Sequence, residues 1–382
     1  MSVLSVLCGA VTPTSFWVRA RITGTRGRVL VSKTSNLADA TAYGPTVVGP
    51  AGVLSIRVTG LAPDTPYWYW VEDTGTVDTG KVGRTPTFPI EGAPRDLLMW
   101  IGGCARGTDG TNTSDAPVFD TIRGYGARFG MHLGDLGYPD IAVNDPALFH
   151  SFYDQVFARP RQQALYLSAP FMYVWDDHDY GPNDSNAASP SRAAAVQAYK
   201  ERFPHYPLLA DDGTIGQTTV FGRTRIVMLD CRAGRTSTSM LGAAQKAAFK
   251  KLVTDFTEPV MILSVQVPWI GTASDTWGAV AAERLELAQH IVDSGKKDRI
   301  FFLAGDMHAN AYDNGTNNTY AGLNRPVLQV GGLDSTGSSK GGPYSAGSPV
   351  QSPGAYGLVR ITDTGGASIG VRLEGRKETT GG

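Results

Sequence analysis

The sequence has few cysteines, no long apolar run and almost no net charge, and each shortage excludes a class of protein. Three cysteines among 382 residues cannot form a disulfide framework. No apolar run approaches about 18 residues, so we expect no membrane span. A net charge of −1 provides no basic surface, so specific nucleic-acid binding is not expected either.

Glycine is abundant, with 46 residues, and short alternating strands between Gly, Pro and Asp turns fill residues 1–85. The first eleven residues carry no Lys or Arg before their apolar run, and we interpret them as a strand rather than a targeting signal. The segment LAPDTPYWYWV (61–71) places Tyr67 where the tyrosine of a fibronectin type III-like sandwich bonds back to the preceding turn. Residues 1–85 therefore predict such a β-sandwich, and residues 86–95 predict a linker.

From residue 96 to 382, apolar runs of strand length alternate with helical patterns and end in a β-rich segment. This alternation predicts a layered α/β domain. The helical patterns are at 115–126, 144–157, 241–256 and 278–294. The pattern at 144–157 begins with Asn144 as the expected cap and Pro146 in the first turn. A Gly/Ser-rich loop at 331–348 is expected to be a flexible surface or the rim of a site.

Polar side chains follow nearly every strand of this second domain. Ligands bind beyond the carboxyl ends of strands in open α/β sheets, so we expect these side chains to form one site. The strand-following residues are Cys104, His132, Asp135, Tyr138, Asp176, Asp177, His178, Asp179, Asn183, Asp230, Arg232, Gln266, Asp306 and His308. So many carboxylates repel one another unless cations neutralise them, which predicts bound metal ions.

Two kinds of donor are present, and they favour two different cations. Cys104, Tyr138 and His308 would supply a thiolate, a phenolate and an imidazole, a set that suits Fe³⁺ better than Zn²⁺. The hard oxygens of Asp177 and Asp306 suit Ca²⁺ or Mg²⁺. Asp135 is expected to bridge the two ions, and such pairs orient a phosphate and activate water.

Three sequence blocks resemble those of the alkaline phosphatase D (PhoD-like) phosphatases, which belong to the calcineurin-like and purple-acid-phosphatase metallophosphoesterases. GDLGY (134–138) is similar to the family's GDxxY block, WDDHD (175–179) to its Asn-His block and GDMH (305–308) to its terminal Gly-x-x-His block. The resemblance covers nearly the whole chain. It implies an α/β/β/α metallophosphoesterase domain after the sandwich, with Fe³⁺ and Ca²⁺, or Mg²⁺, Mn²⁺ or Zn²⁺ as the second ion.

The resemblance also implies a role for each residue that matches a family block. The implied metal ligands are Cys104, Asp135, Tyr138, Asp177, Asp306 and His308. His178 is implied as a phosphate contact or general acid. Asn183 is a further catalytic candidate from its place after a strand, although the Tyr-Gly-Pro-Asn segment that contains it differs from the family's founding pattern. MLDCRAGR (228–235) offers Arg232 and Arg235 as phosphate clamps. Gln266 stands where purple acid phosphatases carry a histidine ligand, which leaves the identity of the second metal ion open.

The function predicted from these residues is hydrolysis of phosphate esters by a metal-bound hydroxide. The expected substrate is a small phosphate ester or a polymeric phosphodiester, and a diester is favoured over a monoester. The family's export implies an extracellular or periplasmic location, although no signal peptide is recognisable here, and the oligomeric state is left open. Two alternatives stand beside this prediction: a phosphotriesterase or promiscuous esterase on the same metals, and a surface-binding protein with a degenerate catalytic domain.

Overall fold

A computed structural model describes residues 2–107, 112–338 and 340–378, and it begins with a β-sandwich. One sheet has the strand order β1-β2-β5, and the other has β4-β3-β6-β7 with β8 also on β6. The strands are β1 (Val3–Gly9), β2 (Ser15–Ile22), β3 (Arg26–Ser32), β4 (Thr41–Val47), β5 (Val53–Thr59), β6 (Pro66–Asp73), β7 (Thr76–Val77) and β8 (Gly83–Pro86). The predicted sandwich is confirmed.

The tyrosine predicted to close the sandwich does so. The backbone N–H of Ala62 donates to the Tyr67 hydroxyl at 2.9 Å, which ties β6 to the turn before it. In the segment after β8, residues 87–89 are buried, whereas residues 90–92 and 94–96 are exposed. Phe88 is fully buried there, and its ring lies edge-on to Phe129 and Phe221 of the second domain. The sandwich and the second domain therefore share one continuous hydrophobic core.

The second domain is built on two further sheets, with strand orders β11-β10-β9-β18-β19 and β12-β13-β14-β15-β17-β16. Strands β9 to β11 run parallel, as do β13, β14, β15 and β17. The strands are β9 (Leu97–Gly102), β10 (Phe129–His132), β11 (Phe171–Tyr173), β12 (Gln217–Phe221), β13 (Thr224–Met228), β14 (Val260–Ser264), β15 (Ile300–Ala304), β16 (Ala311–Asp313), β17 (Val327–Gln329), β18 (Ala355–Thr362) and β19 (Gly370–Lys377).

Helices cover these sheets, and their ends differ in places from the sequence prediction. They are α1 (Val118–Gly124), α2 (Pro146–Phe157), α3 (Pro160–Ser168), α4 (Asp177–Tyr180), α5 (Arg192–Arg202), α6 (Ala243–Asp255) and α7 (Ala281–Asp293). The cap of α2 is Asp145 rather than Asn144, because the Asp145 carboxylate accepts from the N–H of Ala147. Helices α3 and α5 were not predicted from the sequence. None of the helices among the described residues is long and apolar enough to cross a membrane.

The strands of the second domain are continuous apolar runs because both of their faces are buried. In β13 and β14, Val227 and Leu263 face the core that contains residues of α6 and α7. Their neighbours Ile226 and Ile262 face the opposite core, which contains residues of β9 and β18. This alternation produces the predicted layered α/β/β/α arrangement. The carboxyl ends of β9, β10, β14 and β15 then deliver their following residues to one region.

Candidate metal centre

Residues within four positions of the ends of the central strands adopt a strained backbone. Cys104, Asp135, Gln266, Asp306 and His308 have positive φ angles of 61°, 51°, 57°, 68° and 50°. A non-glycine residue in this region costs about 1–3 kcal/mol and persists where the surrounding structure imposes it, often at functional sites. The turns that these residues form end the strands abruptly and direct the side chains to one edge of the sheets.

Cys104, Tyr138 and His308 form one half of the site, which we call the thiol half. The Tyr138 hydroxyl lies 2.9 Å from Nε2 of His308. Ligand atoms of Cys104, Asp135 and His308 all lie within 4.8 Å of one another. Nδ1 of His308 donates to the carbonyl oxygen of Thr336 at 2.7 Å, which leaves Nε2 facing the other donors.

The protein alone does not stabilise the anionic forms of the thiol half. Burial raises the pKa of the Cys104 thiol to about 11. Burial and the Asp135 carboxylate hold the pKa of Tyr138 well above its usual range. Burial lowers the pKa of His308, but Cys104 and Asp135 outweigh it and raise the value to about 11. A highly charged cation is what would stabilise a thiolate and a phenolate here, so this donor set fits a ferric ion.

Four aspartates form the other half, which we call the carboxylate half. Oxygens of Asp135, Asp176, Asp177 and Asp306 lie within 4.8 Å of one another, and all four residues are buried. Within the described part of the chain, both oxygens of Asp135, Oδ2 of Asp176 and Oδ1 of Asp177 accept no hydrogen bond. Buried acceptors without partners are rare in native proteins and call for a ligand. The cluster therefore fits an oxygen-preferring cation such as Ca²⁺.

The local sequence explains how WDDHD supplies two of these groups. Trp175 ends the run after β11, and the Asp176 carboxylate caps α4 by accepting from the N–H of Asp177 at 3.0 Å. Asp177 and His178 are then placed in the first turn of that helix. Burial and the neighbouring carboxylates raise the pKa of Asp176 well above its usual range and that of Asp306 to about 8. A bound cation would remove this repulsion.

Arg232 lies beneath the carboxylate half and is fully buried. Its guanidinium bonds to Asp176 and, at 2.8 Å, to Asp275. It also lies 3.5 Å from Asp177 and 3.7 Å from Asp306. The sequence suggested a phosphate clamp, but a fully buried group enclosed by carboxylates serves as an internal countercharge.

The structure places the remaining predicted catalytic residues at the edge of the carboxylate half. Arg235 bonds to the Asp275 carboxylate and donates to the carbonyl oxygen of Ser274 at 2.8 Å. Asn183 is exposed on the loop after α4. The next residue, Asp184, donates its backbone N–H to Asp177 at 2.7 Å. Arg235 and Asn183 therefore lie beside the cluster rather than within it.

His178 lies against the thiol half. Its ring centre is 4.2 Å from that of Tyr138, and its Nδ1 is 2.6 Å from the carboxylate of Asp140. Burial lowers the pKa of His178, but Asp135 and Asp177 outweigh it, so the net pKa is raised. Among the described residues, Nε2 has no hydrogen-bond partner. That nitrogen is available to a substrate oxygen.

Sequence reasoning missed four polar residues of the site, three of which lie on loops away from the central strand ends. Asp140, Asp275 and Lys340 contact predicted residues directly, and Arg106 lies over the Tyr138 ring at 5.5 Å. A lysine between glycines and serines in the 331–348 loop was a usable signal for Lys340. Asp275 lies on a loop with no comparable pattern.

Gln266 stands at a strand end, yet both of its polar groups are used within the protein. Its side-chain N–H donates to the carbonyl oxygen of Trp175, and its side-chain oxygen accepts from the N–H of Cys231 at 2.6 Å. The amide thus connects two loops of the site.

Residues 138–330 match the family described as PhoD-like phosphatase, which is half of the sequence. The chain belongs to the PhoD-like phosphatase family. The structure is also similar to a solved structure described as PhoD, with a TM-score of 0.77, 16% identity and coverage of 99% of this chain and 92% of that one. It resembles purple acid phosphatase PPD1 from yellow lupin (Lupinus luteus) seeds, with a TM-score of 0.68, 14% identity and coverage of 97% and 71%. None of the curated proteins compared with the chain matches it.

Family membership identifies the chain as a metal-dependent phosphoester hydrolase. The matched segment contains Tyr138, Asp177 and His308, whereas Cys104 and Asp135 precede it. The fold brings these two residues to the matched ones.

Proposed function

We propose that this PhoD-like phosphatase hydrolyses phosphodiesters at a pair of unlike cations. Fe³⁺ is assigned to the thiol half, and Ca²⁺ to the carboxylate half, with Mg²⁺, Mn²⁺ or Zn²⁺ as alternatives. The observation that carries the proposal is Asp135, whose two buried oxygens accept no hydrogen bond from the described residues and which belongs to both clusters. Bound ions would neutralise the carboxylates and lower the pKa of water toward neutrality, which provides the nucleophile.

His178 is assigned the proton transfer to the leaving group. Asp140 holds Nδ1 at 2.6 Å and so orients the ring. Nε2, which has no hydrogen-bond partner among the described residues, is the nitrogen assigned to protonate the leaving oxygen. The ring of His178 contacts that of Tyr138 at a tilt of 39°, and it also lies close to Asp135 and Asp177, which places this donor beside both halves of the site.

The cations at the rim favour a substrate with one negative charge. Arg235 and Lys340 are both bonded to Asp275, so much of their charge is already balanced. Arg106 lies over the Tyr138 ring, and no carboxylate pairs with it among the described residues. A phosphodiester carries one charge and a monoester up to two, so a rim with little free positive charge favours the diester. Arg106, Arg235 and Asn183 are the proposed substrate contacts.

The test compares hydrolysis of bis(p-nitrophenyl) phosphate, p-nitrophenyl phosphate and tris(p-nitrophenyl) phosphate by the same preparation. Each assay is run as purified, after EGTA treatment and after Ca²⁺ is restored. The proposal expects the diester to have the highest kcat/KM, with activity lost in EGTA and recovered with Ca²⁺. A higher kcat/KM for the triester or the monoester would contradict the diester assignment. Full activity in EGTA would contradict an exchangeable second ion.

A further inference from the structure

Lys340 occupies a position in the carboxylate half that the metal assignment does not explain. Its ammonium group donates to both oxygens of Asp306, at 2.9 and 3.0 Å, and to Asp275 at 2.7 Å. The two oxygens that Asp306 would offer to a cation are therefore both bonded to a positive charge of the protein itself. A divalent ion held by Asp306 must compete with that ammonium for the same two oxygens.

The three basic side chains of the carboxylate half differ in how easily they can move. Arg232 is fully buried and lies against four carboxylates. Arg235 is held by Asp275 and by the carbonyl oxygen of Ser274. Lys340 is 26% exposed and extends on a flexible four-carbon chain from a loop that also contains Gly341 and Gly342. Of these three, Lys340 is the side chain that can withdraw from its carboxylate without unfolding a buried network.

Asp275 provides a place for the ammonium after it withdraws. The lysine is bonded to Oδ2 of Asp275 independently of Asp306, and the same carboxylate bonds to Arg232 and Arg235. A shift of Lys340 toward Asp275 would therefore keep one of its two carboxylate partners. The cost of opening Asp306 is the loss of the other partner, and that cost reduces the free energy of cation binding.

We propose that Lys340 is a built-in countercation that releases Asp306 when a divalent ion binds, and that it thereby keeps the second ion weakly held and exchangeable. This inference rests on the proposed function, because it assigns a divalent ion to the carboxylate half. Lys340 acts here as a positioning residue, through Asp306. Replacing it with a neutral residue removes both the competing charge and the bonds that must break.

The direct test is isothermal titration of Ca²⁺ into EGTA-dialysed protein. The Lys340→Met variant is expected to bind Ca²⁺ roughly tenfold more tightly than the wild type, because a positive charge close to the site is removed. Lys340→Arg keeps the charge and is expected to bind Ca²⁺ much as the wild type does. Lys251→Met is the matched control, since Lys251 is an exposed lysine of α6 paired with Asp255. Unchanged or weaker Ca²⁺ binding by Lys340→Met would overturn the inference.

A double variant separates this inference from the proposed function. Ca²⁺ binding by Lys340→Met should disappear when Asp306→Asn is added, which locates the tight site at Asp306. If neither the wild type nor Lys340→Met binds Ca²⁺ or Mn²⁺, the assignment of a divalent ion to the carboxylate half is wrong, and so is the inference about Lys340. If the wild type binds Ca²⁺ and Lys340→Met does not bind it more tightly, the divalent site is supported but the role proposed for Lys340 is wrong. Circular dichroism of each variant confirms that the titrated protein is folded.

Discussion

The two halves of the metal centre share Asp135 but differ in where their balancing charge comes from. In the thiol half, the donors contact one another, as Tyr138 and His308 do at 2.9 Å. Among the described residues, no Lys or Arg hydrogen-bonds to them. In the carboxylate half, Arg232 and Lys340 bond to the acids directly, and Arg235 bonds to the neighbouring Asp275.

This difference indicates how each half depends on its ion. In the thiol half, the positive charge nearest the donors is that of His308, which must lose its proton to bind a metal ion, so the thiolate and phenolate forms then require a highly charged metal. The carboxylate half is partly neutralised by Arg232 and Lys340, so it depends less on the charge of a metal ion. We therefore expect a tightly held ion in the first half and an exchangeable ion in the second. The four predictions that follow test this contrast.

The largest effect is expected at the residue that the halves share. Asp135→Asn removes one negative charge from both clusters and should lower kcat/KM for bis(p-nitrophenyl) phosphate by at least about 10³-fold, since metal ions contribute several kcal/mol to such reactions. The readout is turnover together with the metal content of the purified variant. Asp211→Asn changes an exposed aspartate paired only loosely with Lys200, at 3.8 Å, and serves as the control. Normal turnover by Asp135→Asn would refute the shared-ligand account.

The carboxylate half should depend on Arg232 for stability. Arg232→Met leaves buried carboxylates without their partner and should lower the free energy of unfolding by about 3–5 kcal/mol. Urea unfolding monitored by fluorescence measures this change. Arg123→Met is the matched control, because Arg123 and Asp120 are 2.9 Å apart on an exposed surface and should contribute less than about 1 kcal/mol. Equal effects of the two substitutions would contradict the role given to Arg232.

The proton-transfer assignment can be tested on the thiol side of the site. His178→Gln should lower kcat by about 10²-fold or more for an alkyl phosphodiester, whose leaving group needs a proton. The loss should be smaller for p-nitrophenyl esters, because nitrophenolate leaves without one. Asp140→Asn should show the same leaving-group dependence with a smaller loss of about tenfold, as expected for a residue that orients another. Equal losses with both leaving groups would assign His178 to binding instead.

The smallest effect is expected behind the thiol half, at His132. This residue is fully buried beside Trp100 and Tyr173, and within the described part of the chain neither ring nitrogen has a hydrogen-bond partner. Burial lowers the pKa of His132 from 6.5 to about 3. Below pH 6.5 the unfolded chain therefore binds a proton that the folded chain does not, and stability falls as the pH falls.

Between pH 6.5 and pH 5 this single group should reduce the free energy of unfolding by about 1.6 kcal/mol. His132→Leu removes the titrating group and should reduce the loss of stability over this pH range. Urea unfolding of wild type and variant at both pH values measures the difference. An identical pH dependence for the two proteins would show that His132 does not titrate as described.

Much of the site was predictable because its residues follow apolar runs. Cys104, Asp135 and Asp306 each come directly after a recognisable strand, and strand ends meet at one edge of a layered fold. Sequence spacing alone does not fix the strained φ angles that direct these side chains inward. Those angles depend on packing between two sheets that are far apart in the chain.

The charges that balance the site were less predictable. Arg232 was recognised as part of a block, but its role was not, because burial by distant loops decides whether an arginine is a clamp or a countercharge. Asp275 and Lys340 lie on long loops without a periodic pattern, and their contact joins residues 65 positions apart. Tertiary packing, rather than local preference, brings these two residues to the metal centre. Helix α3 was missed for a related reason, because Pro160 was not recognised as the first residue of another helix so soon after the end of α2.

The most direct test of the two-ion account is elemental analysis of the purified protein before and after exhaustive dialysis against EGTA. We predict about one iron per chain in both samples, with calcium present before dialysis and absent after it. Adding Ca²⁺ back should restore the calcium content together with diester turnover. Loss of both ions together, or the same element in both halves, would contradict the central claim that the protein balances the two halves differently.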